Sequence, residues 1–143
     1  MNLLAALLLW LSMMVLIVAN NAIGDTLIAG AGGPLMAELY EALVPLPYIA
    51  LCAWTYCRRT AARDVGGLLG VGLLWAVSTV MTDVLLARLA LGHSWRLATV
   101  HYALWEGYWF AVVPLAQLVA PLAMARLAPK PAGAGAASSG ASR

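Results

Sequence analysis

Asp25, Glu38, Glu41, Asp83 and Glu106 fall within or beside long apolar stretches, with Asn20 and Asn21 close to the first of them. A carboxylate in such surroundings can hold a proton, pair with a cation or bind a charged ligand, because burial disfavours the ionised form unless a partner compensates. Arg88, His93, Arg96 and His101 all lie between Asp83 and Glu106. Opposite charges at this depth are expected to pair, Asp83 or Glu106 with Arg88 or Arg96. Metal binding by His93 and His101 with nearby acids is not predicted, since no His-x3-His or comparable spacing is present. Both histidines fall in one loop, which also argues against a haem held between facing helices. Cys52 and Cys57 have neither Cys-x-x-Cys spacing nor a four-ligand zinc pattern and are read as packing residues. No motif identifies a cofactor.

Trp75, Thr79 and Asp83 step by four residues and share one helix face, a polar seam in an otherwise apolar helix. Counting from Gly66, Asp83 lies about 25 Å into its span, near the outer boundary. Glu106, Trp109, Phe110, Val113 and Gln117 form a similar face further on. Trp75 and Trp109 are the candidates for stacking on a ligand or covering an ion pair, whereas Trp54, Tyr56, Trp95, Tyr102, Trp105 and Tyr108 are placed in interfacial aromatic belts. Two readings stand open. The charges seal one end of a helix bundle, or they line a pocket there together with Asn21, Asp25, Glu38 and Glu41.

The elements that position these residues follow from composition. The 143 residues are 64% hydrophobic and 10% charged, against about 25% charged in soluble domains. Lipid, not a self-made core, must solvate that much apolar surface. The expected fold is all-α, a polytopic four-helix membrane domain over residues 1–127 with spans at about 3–23, 37–57, 66–89 and 105–126. Arg58, Arg59 and Arg63 follow the second span, and Arg126, Lys130 and Arg143 follow the fourth, so both termini are expected in the cytoplasm. With no basic segment before it, the first span is expected to stay as an anchor. Gly30, Gly32, Gly33 and Pro34 are expected to break the first helix, and Ser94 to cap a short interfacial helix before the last span. Residues 128–143 read as a flexible cytoplasmic tail. Leu8-Leu9-Trp10 and Val44-Pro45-Leu46 recur as Leu73-Leu74-Trp75 and Val113-Pro114-Leu115, the faint echo of a duplicated hairpin. Gly66-x3-Gly70 would permit close helix contact within or between subunits. A net charge of +2 without a basic run gives no footprint for nucleic acid.

Trp75-x3-Thr79-x3-Asp83, then Gly92-His93-Ser94-Trp95, then Tyr102-x-Leu104-x2-Gly107 resembles an uncharacterised family of small four-helix bacterial inner-membrane proteins. The likeness covers roughly residues 75 to 126. Asp83 stands where that family usually has Glu, His101 where it often has Asp, and Glu106 where it often has Arg. The resemblance implies a fold and a multi-pass location in the bacterial inner membrane, and no activity. The functional expectation is therefore an accessory subunit or binding module, acting through the polar cluster at its outer, periplasmic side. The lipid bilayer is its partner, with a homo-oligomer or larger membrane complex open. A small oligomeric transporter using Asp83 and Glu106, and an enzyme acting on a lipid-like substrate, are the alternatives.

Overall fold

The computed structural model describes residues 2–60, 64–103 and 108–127. Three helices in it are long and apolar enough to cross a membrane: α1 (Leu3–Gly32), α2 (Pro34–Thr60) and α3 (Val65–Ala90). A short α4 (Trp95–Thr99), a 3₁₀ turn (Val100–Tyr102) and the apolar α5 (Val112–Leu127) follow. No strand occurs among the described residues. Side chains cap the helices as their types suggest. Asn2 Oδ1 accepts from the Ala5 amide at 3.1 Å, Asp64 Oδ2 from Gly67 at 2.6 Å, and Ser94 Oγ from Leu97 at 3.3 Å.

Two expectations about length need correction. The first helix does not stop near residue 23. It continues through a π-helical segment (Gly24–Ile28) and a last α turn (Ala29–Gly32). Glycine costs a helix only about 1 kcal/mol per residue, which neighbouring hydrogen bonds offset. The chain turns at Gly33, whose φ of 83° only glycine adopts readily, and Pro34 opens α2 at a position where a missing N–H costs nothing. At the other end, α5 has 16 residues where the expected span was longer. Residues 104–107, which include Glu106, lie outside the described residues, as do 61–63 and the expected tail 128–143.

Cross-helix hydrogen bonds fix the directions. Asn2 N donates to Tyr56 Oη at 3.2 Å and Asn20 Nδ2 to the Glu41 carbonyl at 3.3 Å, so α1 and α2 are antiparallel. Trp75 Nε1 donates to the Ala6 carbonyl at 2.8 Å and Trp10 Nε1 to Thr79 Oγ1 at 3.2 Å, so α1 and α3 run together. α5 lies against α2 and α3. Cys57 Sγ meets the Pro121 carbonyl at 3.5 Å, and the Trp109 amide just before α5 donates to Glu38 Oε2 at 2.9 Å.

Two prolines shape the contacts. Pro45 has no N–H for the Glu41 carbonyl one turn back, and Asn20 Nδ2 takes that acceptor instead. Pro121 sits inside α5, and its own carbonyl receives Cys57. Cys52 and Cys57 are both buried. Lipid removes the hydrophobic drive between helices, so close packing and hydrogen bonds must hold them. The backbones approach closely at Gly72, where a Cβ would overlap the Leu118 carbonyl. The sequence motif pointed instead to Gly66, where a Cβ would meet only the Asp64 side chain. The core between the helices is Met13, Ile17, Ile49, Ala53, Tyr56, Val71, Trp75 and Val113 with their neighbours. Leu4, Leu8, Leu11 and Val15 lie exposed on the outside of α1, an apolar girdle that suits a lipid solvent.

Candidate functional site

The C-terminal parts of α1 and α3, the N-terminal part of α2, and the turn leading into α4 enclose a cavity of about 320 Å³. Val18, Asn21 and Asp25 project into it from one face of α1, their spacing of three and four residues being that of a helix stripe. Glu41 enters from α2, Asp83 from α3, and His93 and Phe110 from the connecting segments. Two π-helical segments flank the cavity. Asp25 belongs to the first, Gly24–Ile28, while Leu86 and Ala87 line the wall from the second, Leu86–Ala90. A π turn fits an extra residue into a helix and re-aims the side chains around it, which is why such turns gather at functional sites.

Glu41 is the least conventional group. It is only 8% exposed, and its Oε1 has no hydrogen-bond partner among the described residues. The carboxylate packs against Gly24, where a Cβ would overlap it. Glycine at that position is thus what allows a buried acid to reach the cavity wall from α2. Asn21 Oδ1 and Asn20 Oδ1 are likewise buried without a partner among the described residues. A buried polar atom left unpaired costs about 1–3 kcal/mol, so three at one end of a small protein call for a reason.

Asp83 is engaged differently. Its Oδ2 accepts from the Tyr102 hydroxyl at 2.9 Å, and the Tyr102 ring stands edge-on to Phe110, centroids 5.7 Å apart. Burial first, and the Asp83 charge second, push the Tyr102 phenol well above the usual tyrosine range, so it stays a donor. Arg88 Nη1 donates to the His93 carbonyl at 3.1 Å, its guanidinium lies 5.4 Å from the centre of the Trp95 ring, and Arg96 is exposed on α4.

Of the residues singled out from sequence, Asn21, Asp25, Glu41, Asp83 and His93 come together around the cavity. Glu38 is drawn to the Trp109 amide, and Trp109 is 47% exposed, not a deep stacking surface. Trp75 and Thr79 are fully buried, each tied to α1, and Trp75 also meets Tyr56 edge-on at 6.1 Å. They hold helices. The side chain of His101 and all of Glu106 lie outside what is described. Among the described residues, no group of three His, Cys, Asp or Glu could hold a metal ion. Sequence reasoning missed Tyr102 and Gly24 as site residues. Tyr102 resembled any boundary aromatic, and Gly24 carried only the weak signal of a glycine between Asn21 and Asp25. A second cavity of about 280 Å³, on another face of α1, is lined mainly by apolar residues such as Met13, Ile17, Pro45 and Ile49.

In comparisons with known proteins, the chain matches no family model, no curated protein and no solved structure.

Proposed function

We propose that this chain is a four-span protein of the bacterial inner membrane, with both termini in the cytoplasm, and that it serves as a binding module or accessory subunit through the acid-lined cavity at its periplasmic end. The observation that carries the reading is Glu41, a carboxylate 8% exposed on the cavity wall with an oxygen that no group among the described residues satisfies. A structural ion pair would have given it a cation; a binding site explains why none of the described residues bonds its Oε1. Orientation is supported by Arg58, Arg59 and Arg126 lying at the ends of α2 and α5 remote from the cavity. The apolar core filling the space beyond the cavity favours binding over conduction.

Native mass spectrometry of the full chain in mild detergent tests this. The wild type is expected to retain a ligand or partner that Glu41→Gln loses while remaining folded. A species-free monomer for both proteins would overturn the binding reading. Labelling of Ser94→Cys by a membrane-impermeant maleimide in intact spheroplasts tests the orientation, and protection of that residue would reverse it.

A further inference from the structure

Resting on the reading of the cavity as a binding site, we infer that its ligand presents an aliphatic ammonium group. Three carboxylates, Asp25, Glu41 and Asp83, share the wall, and among the described residues no Lys or Arg lines it. The nearest candidate, Arg88, is held on the His93 carbonyl and the Trp95 ring. The polarity of the unpaired atoms points the same way. Glu41 Oε1 and Asn21 Oδ1 are both acceptors, and among the described residues what they lack is a donor. An ammonium supplies three N–H donors and a positive charge from one small head.

The spacing of the acids separates this ligand from a metal ion. A metal draws its donors to one point, whereas no three described His, Cys, Asp or Glu residues converge that closely. Carboxylates spread over a cavity of about 320 Å³ suit a cation that meets them singly, with a methylene body against Leu86, Leu97 and Phe110. Tyr102 contributes by occupying Asp83 Oδ2, leaving Glu41 as the principal counter-ion. The ammonium could belong to a free amine or diamine, or to the headgroup of an aminophospholipid.

The test uses the purified full-length chain and two sets of probes. Butane-1,4-diamine is titrated by calorimetry and thermal shift at constant ionic strength, with butane-1,4-diol as its neutral counterpart. Nanodiscs of phosphatidylethanolamine are compared with nanodiscs of phosphatidylcholine. Saturable binding of the diamine but not the diol, weakened at least tenfold in Glu41→Gln, supports the inference with a free amine as source. Stabilisation by phosphatidylethanolamine alone, lost in Glu41→Gln, supports it with the lipid as source. Asp25→Asn, at an exposed position, should weaken the same binding severalfold if Glu41→Gln fails to fold. No response to either ammonium probe, with native mass spectra retaining a neutral or anionic species, overturns the ligand class while the binding site stands. No response and no retained species overturns both.

Discussion

The two ends of the packed helices treat their polar groups in opposite ways. Away from the cavity, Trp75 bonds to the Ala6 carbonyl, Cys57 to the Pro121 carbonyl, and Tyr56 to the Asn2 amide, each pairing one helix with another. Around the cavity, Glu41 and Asn21 each keep an acceptor without a partner among the described residues, as does Asn20 on the wall of the second cavity. Polar side chains at the first end serve as cross-links, and at the second several are left open. Since an open buried acceptor destabilises the fold, the contrast separates groups retained for stability from groups retained despite it. One residue crosses the division. Gln117 is completely buried within α5, yet neither of its amide atoms has a partner among the described residues.

Three substitutions would break or sharpen this contrast. The largest effect is expected at Trp75→Ala, which removes a fully buried ring and its bond to α1; a loss of about 3–5 kcal/mol in unfolding free energy, measured by denaturation in mixed micelles, is the expected result. A loss below about 1 kcal/mol would show that the cross-linked end does not hold the fold. Next is Tyr102→Phe, expected to cost about 1–2 kcal/mol by removing the hydrogen bond to Asp83. Its pH dependence has a definite sign. The folded phenol titrates above the ordinary value of 10.0, so its stabilisation is fully present below about pH 10 and is lost as pH rises from there towards the folded value. The stability difference between wild type and Tyr102→Phe should therefore be constant near neutrality and shrink in strong alkali. The smallest effect is expected at Gln117→Leu, a gain of about 1 kcal/mol, because an unpaired amide is replaced by an apolar side chain of similar size. A loss there would assign Gln117 to the same class as Glu41.

The helices were legible because long apolar runs bounded by Arg58, Asp64 and Ser94 leave lipid few other solutions. Which face of each helix turns inward was not. In α1, Leu4, Leu8 and Leu11 face outward while Met13, Met14 and Ile17 are buried, and both sets are apolar. The periodicity that separates core from water in a soluble helix is therefore erased. Polar residues carry more signal where they occur: Thr79 is buried, and Asp83 and Asn21 line the cavity. Trp109 misled because an aromatic ring suits a buried position and a lipid boundary equally well. Gly24 and Gly72 owe their importance to what stands opposite them, Glu41 and Leu118 respectively. No local pattern carries that information.

The hydrogen bond from Asn20 to the Glu41 carbonyl has a consequence for how related sequences can diverge. The acceptor is available because Pro45 lacks an N–H, so the two positions form a structural pair. Restoring an amide at position 45 hands the carbonyl back to its own helix and strands Asn20 beside a wall of apolar side chains. Losing Asn20 alone strands the carbonyl. Descendants of this chain should keep both residues or exchange both, and a lineage with only one of them should show the other helix refitted to carry the orphan.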